Sequence, residues 1–144
     1  MAYPEFFVAP MRAELSSLGV EELRTADAVD QAVKTTDGTL MIVVNSVCGC
    51  AAGKARPGIA LALRHGVRPD RMTSVFAGFD TDATAQARAY FTGALPSSPS
   101  VALLKDGKLV YLMERRQIET SSADQIAAEL RRAFDTHCKA ATIQ

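Results

Sequence analysis

Two cysteines separated by a single glycine, Cys48-Gly49-Cys50, are the residues whose types and spacing can do chemistry. They follow directly on an apolar, β-branched run, TLMIVVN at 39–45, and precede a stretch with helical patterning. A thiol at the start of a helix meets unpaired N–H groups and the positive end of the helix dipole, and both favour the thiolate. The thiolate is the nucleophile of thiol-disulfide exchange, so the setting points to that reaction. Cys48 comes first and is expected to be the more exposed, which gives it the attacking role. Cys50 falls inside the helix and is expected to attack the resulting mixed disulfide and release the partner.

The one-residue spacing narrows the chemistry. Closing Cys48 onto Cys50 makes a ring of about eleven atoms, against about fourteen for a CxxC pair, so the preferred dihedrals and Cα separations are harder to reach. Strained disulfides are the more easily reduced. Gly49 helps by tolerating backbone angles that other residues resist. The site is therefore expected to lean toward disulfide isomerisation or removal of mixed disulfides rather than strong reduction. Two alternatives remain open on the residues alone. The cysteines can be small buried hydrophobes, or a CxC pair can hold a soft metal such as Cu(I) or Zn(II). A closed zinc site needs four ligands, and Cys138, His65 and His137 offer no matching half-site, so no metal is expected. Gly53-Lys54 does not complete a phosphate loop, because the required earlier glycine is Cys48 and the required hydroxyl residue is Ala55.

The elements that must position this pair can be read along the chain. Residues 10–18 pattern as a short helix, with Pro10 in its first turn and Gly19 as its stop. Residues 20–24 suit a short edge strand. Thr25 is a plausible N-cap for a helix over 26–34. The run 39–45 suits an internal strand, buried on both faces. Residues 51–65 then read as a helix kinked at Pro57, whose missing N–H forfeits a bond to the Gly53 carbonyl. A second internal strand is expected over 72–79, and a helix over 82–91 capped by Asp80 or Thr81. Asp106-Gly107 between apolar runs predicts a hairpin of strands 100–104 and 109–113. Ser121 or Ser122 caps a last helix running to about residue 138. The order α-β-α-β-α-β-α-β-β-α implies an α/β protein with a mixed central sheet, helices on both faces and an extra N-terminal helix. This arrangement resembles the thioredoxin-like fold, and residues 1–144 are expected to form one such domain.

That resemblance singles out Ser98-Pro99. Thioredoxin-like folds carry a cis-proline just before the corresponding strand, facing the cysteine pair and offering backbone to an extended substrate. Ser98 and Pro99 are therefore expected to bind substrate, with Pro99 cis; an ordinary trans proline opening a strand is the alternative. Pro96 lies further from the strand. Asn45, Ser46 and Gly49 are also expected on the substrate side, although Asn45 and Ser46 would equally serve to end the strand. Lys54 and Arg56 either support the thiolate, attract an anionic thiol, or form a solvated helix face. Cys138 is expected to be a spare thiol. His65 and His137 fall at helix ends, where the dipole explains them.

Composition limits the function classes. Acidic and basic residues balance at 16 each, which argues against nucleic acid as a main partner. Hydrophobic residues make up 48% of the chain, enough for a packed core. No apolar run approaches the roughly 18–20 residues that span a bilayer. The N-terminal stretch MAYPEFFVAPMRAEL lacks a basic n-region and cleavage site. A cytoplasmic address without membrane partners is expected, where a close cysteine pair is usually catalytic, redox-sensing or metal-binding.

The segments N-S-V-C-G-C-A-A-G at 45–53, A-R-P-G at 55–58, F-A-G at 76–78, Y-F-T-G at 90–93, P-S-S-P-S at 96–100 and P-M-R-x-E-L at 10–15 together resemble the bacilliredoxin family over nearly the whole chain. The resemblance implies a thioredoxin-like fold in a bacterial cytoplasm and removal of bacillithiol from S-bacillithiolated proteins. Cys48 would match the family's attacking cysteine and Cys50 the second cysteine of its motif. Bacillithiol would be a thiol co-substrate rather than a bound cofactor. The partners would be bacillithiolated or disulfide-bonded proteins, a low-molecular-weight thiol and a disulfide reductase that regenerates the site. Members have also been regarded as disulfide isomerases.

Overall fold

The computed structural model describes residues 4–139. Its centre is the strand β2 (Thr39–Asn45), buried at every residue. Because side chains alternate across a strand, Met41 and Val43 enter one apolar layer with Val101, Leu103, Ile59, Leu130 and Phe134. Leu40, Ile42 and Val44 enter a second layer with Val29, Val33, Val75 and Leu104 on the opposite face. A strand apolar on both faces therefore requires helices on both faces, and the structure provides them. Helices α1 (Glu5–Ser16), α3 (Arg56–Ala62) and α6 (Ala123–His137) supply residues to the first layer, and α2 (Ala26–Thr35) and α4 (Thr81–Ala89) to the second.

The sheet is five-stranded, with β1 (Glu21–Glu22), β3 (Arg71–Phe76), β2, β4 (Ser100–Lys105) and β5 (Lys108–Met113) in the order β1-β3-β2-β4-β5. β1, β3 and β2 are parallel; β4 and β5 are antiparallel to their neighbours. The hairpin turn has Asp106 and Gly107 both at positive φ, as the Asp-Gly pair predicts. Thr25 and Ser122 cap α2 and α6 with their hydroxyls. The mixed sheet, the two helical layers and the additional N-terminal helix agree with the expected architecture.

Several elements differ from expectation. β3 ends at Phe76 rather than at residue 79, α3 ends at Ala62 rather than at residue 65, and Asp80 stands at the N-cap of α4 without a side-chain cap bond. α1 begins at Glu5, so Pro10 lies inside it rather than in its first turn; one missing N–H is tolerated because α1 packs Val8 and Leu15 into the protein. The helix after the cysteines opens with a π-turn, Ala51–Ala55, before becoming α3. The Arg56 N–H reaches back to the Ala51 carbonyl, so Pro57, which has no N–H, opens the α-helical segment where none is needed. A short helix, α5 (Arg115–Glu119), was not expected; Glu114 and Gln117 form a reciprocal capping box at its start.

Gly58 sets the approach of α3 to α6. A Cβ there would stand 2.6 Å from Ile126 Cγ2 and 3.1 Å from the Ala123 carbonyl oxygen. Gly58→Ala is expected to lose about 1–3 kcal/mol of stability by overpacking, despite alanine's better helix propensity. Denaturant unfolding of the single variant and of the pair with Ile126→Ala checks this: the double variant should be more stable than additivity requires, and strict additivity would exclude the contact as the cause.

Candidate active site

One end of the sheet gathers the site. β2 leaves the sheet at Asn45, and β4 enters opposite it, with Ser100 paired to Val44. β5 leaves at the same end, with Met113 paired to Val101. The cysteine turn, the loop at residues 96–100 and α5 therefore converge by strand register alone. The Ser98–Pro99 peptide bond is cis, as expected, and Pro99 is buried while Ser98 is half-buried.

Beneath the turn lies a charge. Arg56 is only 3% exposed. Its Nη1 donates to Asn45 Oδ1 at 3.0 Å and to the Ser46 carbonyl at 2.8 Å, and its Nε faces Glu14 Oε1 at 3.2 Å. The Ser46 N–H donates to the same Asn45 Oδ1 at 2.9 Å, and Asn45 Nδ2 donates to the Met11 carbonyl at 3.3 Å. Asn45, expected at the substrate, instead lies under the motif, 3% exposed, with both ends of its amide occupied. Arg56 is not part of a solvated face. Burial of the guanidinium is compensated by acceptors in β2 and the turn and by the opposite charge of Glu14 on α1, while Nε itself makes no hydrogen bond.

Ser46 is also buried, and its hydroxyl works on Cys48. Ser46 Oγ accepts from the Cys48 N–H at 3.3 Å. The Cys48 carbonyl in turn accepts from both Ala51 and Ala52 N–H at 3.1 Å, which starts the helix. Partial burial opposes ionisation of the Cys48 thiol. The Ser46 hydroxyl, the Ala51 and Cys50 N–H groups at the head of the helix and the charge of Arg115 outweigh that and hold the thiol below its ordinary range. Cys48 and Cys50 are both half-buried free thiols and Gly49 between them is exposed. Cys50 packs against the first apolar layer.

Lys54 turns away from the thiols: its ammonium donates to the Glu119 carbonyl and so fastens α5 to the π-turn. Arg115, which sequence reasoning missed, occupies the cationic position instead. Its Nη1 donates to the Ser98 carbonyl at 3.2 Å, and its backbone N–H to Ser97 Oγ at 3.4 Å. The signal that could have found it is the Glu114-x-x-Gln117 capping box, which announces a helix just after β5.

The other reactive residues lie apart. Cys138 bonds Thr39 at the opposite end of β2, and burial pushes its thiol up. Seven residues of strand at about 3.3 Å each put it about 20 Å from the motif. His65 Nε2 pairs with Asp135 at 2.8 Å, and His137 lines a cleft with Thr39, Asp70 and Lys105. Among the described residues no three His, Cys, Asp or Glu side chains group as metal ligands.

Comparison with known proteins accords with this geometry. A family model described as disulphide isomerase matches residues 3–138. A bacilliredoxin of Koribacter versatilis is 59% identical over 96% of this chain and 95% of its own length. One of Staphylococcus aureus is 47% identical, over 95% of this chain and 94% of its own. The chain belongs to the bacilliredoxin family. Membership makes it a thiol-disulfide oxidoreductase. The fold is thioredoxin-like: Fasciola hepatica thioredoxin superposes with a TM-score of 0.58 at 20% identity, covering 82% of this chain and 99% of that one.

Two variants test the two parts of the site. Ser46→Ala removes the hydroxyl that favours the Cys48 thiolate, so the thiol should titrate higher and its alkylation at neutral pH should slow; an unchanged or lower midpoint in the pH profile of alkylation contradicts that role. Arg56→Met takes the guanidinium donor from the Ser46 carbonyl and the ionic partner from Glu14, leaves Asn45 Oδ1 with the Ser46 N–H alone, and should cost about 2–4 kcal/mol in denaturant unfolding; a loss below about 0.5 kcal/mol, the range of ordinary surface substitutions, contradicts the central place given to this charge.

Proposed function

We propose that this bacilliredoxin-family protein removes low-molecular-weight thiols from mixed disulfides on proteins, with bacillithiol as the thiol co-substrate and the cytoplasm as its setting. The observation that carries the proposal is the placement of two free thiols, Cys48 and Cys50, at the start of the helix that follows the central strand, where the Cys48 carbonyl accepts from Ala51 and Ala52 and the cis Ser98–Pro99 loop meets the turn; the Ser46 hydroxyl, nearby N–H groups and the charge of Arg115 lower the pKa of the Cys48 thiol. In the first step the Cys48 thiolate attacks the bacillithiol sulfur. A Cys48–bacillithiol disulfide forms, the protein–bacillithiol bond breaks, and the client cysteine leaves as a thiolate that takes up a proton. In the second step the deprotonated Cys50 sulfur attacks Cys48 Sγ. The Cys48–Cys50 disulfide forms and bacillithiol leaves as its thiolate, so the oxidation is carried by the motif. A dithiol reductase or free thiol must then return two electrons to the pair.

Ser98 and Pro99 are proposed to receive the client backbone, because the register places them beside the turn. Gly49, exposed between the thiols, leaves room for the incoming disulfide. Isomerisation of protein disulfides, which the family model's description names, would use the same first step with a protein sulfur in place of bacillithiol. No described helix is long and apolar enough to cross a membrane.

Cys50→Ala should arrest the reaction after the first step. Mixed with a bacillithiolated client, this variant should retain one bacillithiol on Cys48, seen by intact mass and released by dithiothreitol. Absence of an adduct, or an equal adduct on a Cys48→Ala protein, would overturn the proposal.

A further inference from the structure

α5 is five residues long, yet it is fastened to the site from three sides. Lys54 of the π-turn holds its last carbonyl, that of Glu119. The Arg115 N–H holds Ser97 Oγ, and Arg115 Nη1 holds the Ser98 carbonyl, the oxygen of the cis peptide bond that precedes Pro99. The remaining edge of the same guanidinium, Nε, pairs with Glu119 Oε2 one helical turn on at 3.4 Å. The cation is thus fixed by two acceptors in a forked geometry that a lysine cannot reproduce, at the junction of the three segments that meet around Cys48.

We propose that Arg115 is a positioning residue of the thiol site: its guanidinium is held between the Ser98 carbonyl and Glu119 so that its charge bears on the Cys48 sulfur, while Glu119 tempers that charge. The assignment rests on Cys48 being the attacking thiol, and it adds a side chain that acts through Cys48 without touching substrate. The interaction is mutual, since the Cys48 thiolate stabilises the Arg115 cation, with Glu119 contributing next. The other charges around Cys48 are accounted for. Arg56 is neutralised beneath the turn by Glu14, Lys54 is tied to the Glu119 carbonyl, Cys50 is the second thiol of the motif, and the loop at 96–100 carries no charged residue. Arg115, held at the Ser98 carbonyl, is consequently the cation that bears on Cys48.

The test measures the pH profile of Cys48 alkylation by iodoacetamide, read by intact mass, in a Cys50→Ala background so that the second thiol of the motif does not contribute. Arg115→Ala should raise the midpoint by about half a pH unit, equivalent to about threefold less thiolate at neutral pH. Arg115→Lys keeps the charge but loses the fork, and should recover only part of that shift. Glu119→Gln removes the tempering carboxylate and should move the midpoint the other way, downward. An unchanged midpoint in Arg115→Ala, or a shift of the same sign in Arg115→Ala and Glu119→Gln, would overturn the proposal, since a purely structural role for α5 predicts like effects from both. Arg115 is exposed along nearly half its side chain, so these variants should fold, and circular dichroism confirms it. Failure of the bacillithiol adduct to form on Cys48 would count against the proposed function and leave these midpoints interpretable.

Discussion

Arg56 carries a charge into a place that water does not reach, and the turn that presents Cys48 is built from the groups that satisfy it. A buried guanidinium must be both neutralised and hydrogen-bonded, or its burial costs more than the fold can sustain. Here the hydrogen-bond acceptors are Asn45 at the end of β2 and the Ser46 carbonyl in the turn, and the neutralising charge is Glu14 on α1, which the buried Nε faces without a hydrogen bond. Satisfying one side chain therefore fixes the exit of the central strand, the first residue of the motif's turn and the seat of the N-terminal helix. Asn45 extends the constraint by bonding the Met11 carbonyl. The conspicuous stretch at residues 10–15 then has a physical account. Met11 and Glu14 face the support of the thiol site, and Arg12 between them pairs with Glu5, Glu22 and Asp80 over the Phe76 ring.

On that support the thiol is tuned by opposing effects. Partial burial disfavours a thiolate, and at Cys138, at the other end of β2, burial is the largest effect and the thiol is pushed up. Cys48 differs because the Ser46 hydroxyl, the N–H groups at the head of the helix and the charge of Arg115 outweigh its burial. The π-turn belongs to the same arrangement: it brings the chain from Cys50 to Arg56, so that one turn exposes a thiol and buries the cation beneath it.

Much of this was legible in the sequence, because the informative signals were local and strong. The run at 39–45, apolar from Leu40 to Val44, announces a strand covered on both faces, and its boundaries in the structure are those residues. Asp106-Gly107, Thr25 and Ser122 each have short-range backbone roles that do not depend on the rest of the fold. Ser98-Pro99 could be placed only through the resemblance to thioredoxin-like folds, since nothing local distinguishes a cis proline from a trans one. What escaped was non-local. Arg56 is indistinguishable in sequence from a surface arginine until Asn45 and Glu14 are seen around it. α5 is too short to show a helical period, and Arg115 acquires meaning only from the Ser98 carbonyl, 17 residues earlier in the chain. Asn45 was assigned to substrate because polar residues near a reactive pair invite that role; a fully buried strand end needs them for its own hydrogen bonds.

The account therefore stands on a division of labour between two neighbouring thiols: Cys48 is activated by its surroundings, and Cys50, packed on the core, follows. Competitive labelling of the fully reduced protein at neutral pH with a limiting amount of isotopically coded alkylating agent, followed by peptide mass spectrometry, measures this directly. Cys48 should be labelled well ahead of both Cys50 and Cys138. Labelling of Cys50 or Cys138 first, or of all three at the same rate, would contradict it.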